Sequence, residues 1–232
     1  MTDGALPGLP RPAREVAPGA VLLPELLDTA AQRELLAACR AWALPPAGLR
    51  TVRMPHGGAM SVRQLGLGAH WYPYGYADTA VDGDGAPVKP FPDWLGRWAR
   101  RAVACADEVS GRFGSGTPRP PGGSREPGGV AFDVALVNFY GPDARMGMHQ
   151  DRDEHADEPV VSFSLGDTCV FRFGNSAGRG RPWADTELIS GDGFVFGGPA
   201  RFAFHGVPRV RPRSSPSWLD LNGRLNITVR KR

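Results

Sequence analysis

Residues 130–154 read VAFDVALVNFYGPDARMGMHQDRDE, and the way this stretch folds decides the architecture of the chain. Its first part is rich in β-branched and aromatic side chains, the types that suit a pleated, half-buried surface. Gly141-Pro142-Asp143 then interrupts the run as a turn does. The same texture recurs in PVVSFSLG (159–166), TCVFRF (168–173), GFVFGG (193–198), RFAFHGV (201–207) and RLNITVR (224–230). Gly, Pro and Asp punctuate these runs, and no helical pattern separates them. Many short strands without intervening helices predict a sandwich or jelly roll.

The front of the chain reads differently. In residues 21–46, Leu35, Cys39 and Trp42 fall on one helical face, and Pro45 closes the helix. Thr29 followed by Gln32 predicts a capping box at its start. A second helix is expected from Pro92 to Val109, with Asp93 at the N-cap and Leu95, Trp98, Ala102 and Cys105 stepping by three and four. Both helices are expected to cover a sheet. Between them, TVRMPHGGAMSVRQLG (51–66) predicts a hairpin turning at His56-Gly57-Gly58. HWYPYGYADTAVDGDG (70–85) follows, with one Trp and three Tyr in a loop-like segment. Such aromatics either stack on a planar ligand or pack on one another.

Composition sets the remaining bounds. The chain has 232 residues, 41% hydrophobic, enough for one sizeable core. The first nineteen residues are rich in Pro, Gly and Ala and are expected to form a flexible arm. Residues 111–129 have linker composition and divide the helical front, 20–110, from the β-rich back, 130–232. No apolar run approaches the roughly 20 residues a membrane span needs, and the N-terminus lacks an apolar signal core, so the cytoplasm is the expected location. Cys39, Cys105 and Cys169 are odd in number and widely spaced, which argues for buried hydrophobes over disulfides or a CxxC zinc site. The formal charge is +3, and apart from Lys89 and Lys231 every basic residue is an arginine. A mildly basic surface permits a nucleic-acid partner without demanding one. With no heptads or long apolar stripe, a monomer is expected.

The chemistry resides in the histidines. Of five, His149 and His205 stand out because each ends or follows a strand-like run. A non-haem Fe(II) oxygenase needs two imidazoles and one carboxylate on one face of the ion. In His149-Gln150-Asp151, alternate residues share a face, and His205 on a neighbouring strand can complete the set. A His-x-Asp pair with a remote His is weak by itself. The last strand strengthens it, because Arg224, Asn226 and Arg230 share one face. Two arginines turned toward a barrel interior are costly without an anion, which a dicarboxylate supplies. Asn138 and Tyr140 likewise share a face.

NFYGPDARMGMHQDRDE, VVSFSLG, RFAFHGV and RLNITVR together closely resemble the AlkB family of Fe(II)- and 2-oxoglutarate-dependent dioxygenases, in its bacterial alkylated-DNA repair branch. The resemblance runs from about Val21 to Arg230. It implies a mainly β (α+β) fold, a double-stranded β-helix core with N-terminal covering helices and a nucleotide-recognition lid. It makes His149, Asp151 and His205 the iron ligands. Asn138, Tyr140, Arg224, Asn226 and Arg230 become the 2-oxoglutarate pocket, with Arg224 on the distal carboxylate and the partner of Arg230 open. Asp153 corresponds to the acid that reads the base. The flipped base lies between Trp71 and His149, with Tyr76 nearby and Met60-Ser61-Val62 matching a lid strand. A substrate-contacting arginine maps to Arg179, with Arg181 as the alternative. The family's second lid tyrosine is replaced by Asp78, and the 111–129 linker is longer than its counterpart.

The implied reaction consumes Fe(II)-bound 2-oxoglutarate and O2, releases succinate and CO2, and removes an N-methyl group as formaldehyde. The implied substrates are 1-methyladenine and 3-methylcytosine in DNA, preferentially single-stranded, because a lesion that cannot pair is easier to flip. The same chemistry on methylated RNA, tRNA or a protein side chain is the alternative. A jelly-roll binding module with a structural metal or none, and a plain β-sandwich with a solvated acidic loop, are the readings from other classes.

Overall fold

Alternation along the central strands sorts the chain into two cores. The computed structural model describes residues 10–55, 57–113, 131–153 and 157–232. His56 of the expected hairpin turn, residues 114–129 of the expected linker, and Glu154 and His155 lie outside the described residues.

In chain order the strands and helices are β1 (Arg14–Ala17), β2 (Ala20–Leu23), α1 (Thr29–Ala43), β3 (Arg50–Arg53), β4 (Ala59–Leu67), β5 (His70–Tyr72), β6 (Gly75–Ala77), α2 (Asp93–Ser110), β7 (Val134–Tyr140), β8 (Met146–His149), β9 (Val160–Gly166), β10 (Cys169–Phe173), β11 (Ala184–Leu188), β12 (Gly193–Phe196), β13 (His205–Val210) and β14 (Arg224–Arg230). Among these residues, an eight-stranded sheet runs β1-β2-β12-β9-β14-β7-β4-β3 and a four-stranded sheet runs β11-β10-β13-β8, while β5 and β6 pair by themselves. All the strand pairings are antiparallel. This is the expected mainly β, jelly-roll architecture.

On one face of the large sheet, Val137, Phe163, Leu165, Val195, Leu225, Ile227 and Val229 join Leu35 and Cys39 of α1 and Leu95, Ala99 and Ala102 of α2 in one buried cluster. The two helices therefore cover the sheet as their apolar stripes require. The opposite face meets the small sheet across Phe171, Phe173, Phe194, Phe196, Val207 and Val210. Full burial of each such side chain stabilises by roughly 1.5–3 kcal/mol. The polar residues that build the site stand on this inner face, so the fold encloses them between two sheets.

Several local expectations are corrected. The cap of α1 is Asp28, whose Oδ1 accepts from the Ala31 amide at 2.8 Å. That places Gln32 one residue too deep for a capping box. Its side chain is buried instead, donating to the Leu27 carbonyl and accepting from Ser190. At α2 the N-cap is Pro92, with no side-chain bond, and Asp93 is the first helical residue. There its charge faces the positive end of the helix dipole.

Part of the expected arm is also ordered. Arg14–Ala17 pairs with β2 as an edge strand, and Arg11 grips the fully buried Asp192 at 2.9 and 2.5 Å. The hairpin over 51–66 forms as β3 and β4, with Thr51 opposite Arg63. All three cysteines are free; Cys39 and Cys169 are buried and Cys105 is half-buried. No helix among the described residues is long and apolar enough to cross a membrane.

Candidate active site

His149 ends β8 and His205 begins β13, and the register sets the two directly opposite each other. Gly206 permits the close approach: a Cβ there would lie 2.8 Å from the carbonyl oxygens of both Met146 and Gly147. The imidazole centroids are 4.5 Å apart. Asp151 leaves the end of β8 and turns its carboxylate between them. Its Oδ1 is 3.6 Å from His149 Nε2 and its Oδ2 is 3.6 Å from His205 Nε2. One donor atom from each residue lies within 4.8 Å of the other two.

The surroundings prepare these donors for a cation. His149 Nδ1 faces the Gly147 carbonyl at 2.9 Å, and His205 Nδ1 faces the Ala203 carbonyl at 3.0 Å. A carbonyl accepts only, so each Nδ1 carries the proton and each Nε2 presents its lone pair to the centre. Burial lowers the His205 pKa to about 4, against the pull of Asp151, so this imidazole is neutral at neutral pH. Burial acts to raise the Asp151 pKa, but Arg230, His205, His149 and Arg201 outweigh it and bring it down to about 2. One carboxylate and two imidazole nitrogens fit a divalent ion.

Beside this centre, the inner face of the large sheet carries a polar row. Gln64 of β4 faces Asn138 of β7, which faces Asn226 of β14, which faces Ser164 of β9. Gln64 Nε2 donates to Asn138 Oδ1 at 3.0 Å, and Asn226 Nδ2 donates to Ser162 Oγ at 2.5 Å. One rung away, Arg224 is paired in register with Tyr140 and lies 5.0 Å over its ring. Arg224 is 1% exposed; its Nη2 donates to Ser164 Oγ at 3.1 Å, while Nε and Nη1 have no partner among the described residues. Among the described residues no carboxylate pairs with it. A buried guanidinium with orphaned donors fits an anionic cosubstrate carboxylate, which would satisfy both charge and geometry. The two imidazoles, the carboxylate and this cationic pocket are the arrangement of a 2-oxoglutarate-dependent non-haem iron oxygenase.

Sequence comparison agrees. The pattern of the 2OG-Fe(II) oxygenase superfamily matches residues 19–230. An alpha-ketoglutarate-dependent dioxygenase AlkB homolog of Caulobacter vibrioides is 39% identical, over 93% of this chain and 89% of that protein. A DNA N(6)-methyladenine demethylase of Arabidopsis thaliana, ALKBH1D, is 33% identical over 93% of this chain and 50% of its own length. The solved structure of OsALKBH1 superposes with a TM-score of 0.81 and 33% identity, covering 95% of this chain and all of that one. The chain belongs to the AlkB family of 2OG-Fe(II) dioxygenases; its cofactors are Fe(II), 2-oxoglutarate and O2, and its activity is AlkB-type demethylation.

The remaining expected site residues divide into those brought together and those held apart. Arg230, whose partner the sequence left open, sets Nη2 2.8 Å from Asp151 Oδ2. Trp71 of β5 donates from Nε1 to Asp153 Oδ2 at 2.7 Å, which joins the lid to the segment after the metal carboxylate. Tyr76 of β6 is the register partner of Trp71, so both point to one face of the hairpin. Asp78 ends exposed beyond β6. Arg179 occupies an exposed loop with its guanidinium 5.9 Å from the Phe204 ring centroid, and Arg181 stacks on Trp183 at 5.0 Å.

Three polar contributors escaped the sequence reading. Gln64 shares the inner face with Asn138, a placement that follows from the β4–β7 register and not from its own neighbours. Gln150 donates to the Phe202 carbonyl at 2.6 Å. Arg201, 2% exposed, donates from Nη1 to the Asp151 carbonyl at 2.6 Å. It heads the RFAFHGV run expected to be a strand, but residues 201–204 form a turn after the 3-10 segment Gly198–Ala200 and the strand begins only at His205.

Proposed function

We propose that this enzyme removes N-methyl groups from 1-methyladenine and 3-methylcytosine in DNA, preferentially single-stranded, as direct repair of alkylated bases. The observation that carries this reading is the Trp71–Asp153 hydrogen bond, 2.7 Å long, which sets an indole and a carboxylate side by side two residues from Asp151. Both lesions are cationic at neutral pH. Asp153 attracts that charge and accepts from the exocyclic amine, while Trp71 and His149 sandwich the ring and Tyr76 borders it. Stacking on an aromatic contributes about 1–3 kcal/mol per base.

His149, Asp151 and His205 hold Fe(II) in this reading. Asn138, Tyr140, Arg224, Asn226 and Arg230 hold 2-oxoglutarate, with Arg224 on its distal carboxylate. Bound iron, with 2-oxoglutarate and O2, supplies oxidation of the methyl C–H bond, with succinate and CO2 as co-products. The chain positions that methyl group. Trp71 and His149 fix the plane of the base, Asp153 fixes its Watson–Crick edge, and Arg230 holds Asp151 ionised. The resulting N-hydroxymethyl base then loses formaldehyde. Arg179 is the substrate-contacting arginine of the adjoining loop, meeting the polynucleotide. We further assign the protein to the cytoplasm as a monomer.

N6-methyladenine in DNA is a second reading, favoured by the 33% identity with the Arabidopsis demethylase. That base is neutral, so an acid at position 153 gains less from it than from a cation. The deciding experiment incubates the protein with Fe(II), ascorbate, 2-oxoglutarate and single-stranded DNA bearing one of the three bases, beside matched RNA. Loss of one methyl group from 1-methyladenine DNA that requires 2-oxoglutarate is expected. Loss only from N6-methyladenine, or only from RNA, overturns the first reading.

A further inference from the structure

A charged cluster lies at the root of the lid, with His70 buried and the Asp82 side chain 24% exposed, among residues to which the reaction above gives no part. Arg50 of β3 donates from Nε to Asp82 Oδ1 at 2.6 Å and from Nη2 to Asp82 Oδ2 at 3.2 Å. His70 Nε2 meets the same Oδ1 at 2.5 Å. The side chains of Arg50 and His70 are 9% and 4% exposed. His70 opens the lid segment and Asp82 ends it, so their bond ties its neck across twelve residues.

The other bonds of Arg50 give the cluster its meaning. Nη2 also donates to the main-chain carbonyl of Trp71, and Nη1 donates to that of Gln64 at 3.2 Å. One guanidinium therefore fixes the backbone under the lid indole and under the first residue of the polar row. Burial acts to raise the Asp82 pKa, but the bonds from Arg50 and His70 prevail and hold it below the ordinary value. Burial also lowers the pKa of His70, which leaves a neutral imidazole against an ionised carboxylate. Charge-assisted bonds of this kind are about twice as strong as neutral ones. A staple serving only the fold could join any backbone groups; this one ends on the carbonyl of Trp71 itself.

We propose that Arg50, Asp82 and His70 are positioning residues for the substrate base, setting the Trp71 main chain so that its indole reaches Asp153. The proposal rests on the assignment of Trp71 and Asp153 to the base. Arg50 turns the backbone, Asp82 orients Arg50, and His70 holds Asp82 in place.

The test compares His70→Leu, Asp82→Asn and His70→Gln in the full chain, the last retaining an N–H for Asp82. In the first two, KM for the methylated oligonucleotide is expected to rise about tenfold, roughly 1.4 kcal/mol, with KM for 2-oxoglutarate within about twofold of the parent. His70→Gln is expected to recover most of the loss. A second readout needs no turnover: in protein labelled with 15N-tryptophan, the Trp71 indole N–H, assigned by its absence in Trp71→Phe, should shift and exchange faster in both damaging variants. Equal rises in the two KM values, or failure of Gln to rescue, overturn the proposal. So does an unmoved indole resonance in variants that melt like the parent. If the parent demethylates none of the oligonucleotides, the assigned substrate fails, and the indole resonance still decides whether the cluster positions Trp71.

Discussion

Arg224 shows how much a single side chain can define. It is buried, flanked by Ser164 and the Tyr140 ring, and its Nε and Nη1 hydrogens have no acceptor among the described residues. Hydrogen bonds to charged groups contribute about 1.5–3 kcal/mol each. Arg224→Ala should therefore weaken 2-oxoglutarate binding by about a hundredfold or more, roughly 3 kcal/mol, measurable by calorimetry with an inert metal in place of iron. Metal affinity should change little, since Arg224 touches none of the three donors. Asp153→Asn tests the base-reading role proposed for Asp153: it should raise KM for 1-methyladenine DNA more than for N6-methyladenine DNA, because only the first loses a cation–carboxylate attraction. Equal effects on the two would remove charge sensing from Asp153. At this scale the sequence was legible wherever strand alternation applied, as for Arg224, Asn226 and Arg230. Arg201 was placed at the head of an expected strand but lies in the turn before it, and the Arg230–Asp151 contact depends on three-dimensional register.

At the scale of elements, the runs that became β7, β9, β10, β12 and β14 were readable from their β-branched and aromatic residues, whereas β2, β8, β11 and the helix starts were not. Asp28 and Thr29 are both good caps standing next to each other, and only backbone geometry selects between them. With Asp28 accepting from Ala31, Asp28→Ala should lower stability by about 1 kcal/mol, while Thr29→Ala should be nearly neutral. Urea denaturation separates the two, and the reverse ranking would restore Thr29 as the cap. Strand β1 escaped notice for a related reason: a Pro- and Gly-rich neighbourhood concealed a four-residue edge strand, held by pairing with β2 and by the Arg11–Asp192 bridge. The lid hairpin lay between two readings, ligand stacking or local packing. Register now joins Trp71 with Tyr76, and the Asp153 bond ties that pair to the centre.

For the whole molecule, the two cores divide the labour. The helix-covered face stabilises the large sheet, and the face between the sheets carries both aromatic packing and the polar row, so ligand binding and folding share one interior. Ligands that bind only the folded chain stabilise it by RT ln(1 + [L]/Kd), about 2.7 kcal/mol at a hundredfold excess over Kd. Inert divalent metal should raise the melting temperature, and 2-oxoglutarate should raise it further. In Arg224→Ala the first increment should persist and the second vanish. A second increment that survives the substitution would move the cosubstrate away from Arg224.

The facing of His149 and His205 has a consequence for how the chain is made. Side chains alternate along a strand, so a slip of β8 against β13 by one residue turns one imidazole to the opposite side. A misregistered molecule can retain its secondary structure and still fail to bring the three donors to one point. Metal stoichiometry is therefore expected to report the fraction of molecules in which β8 and β13 pair in this register.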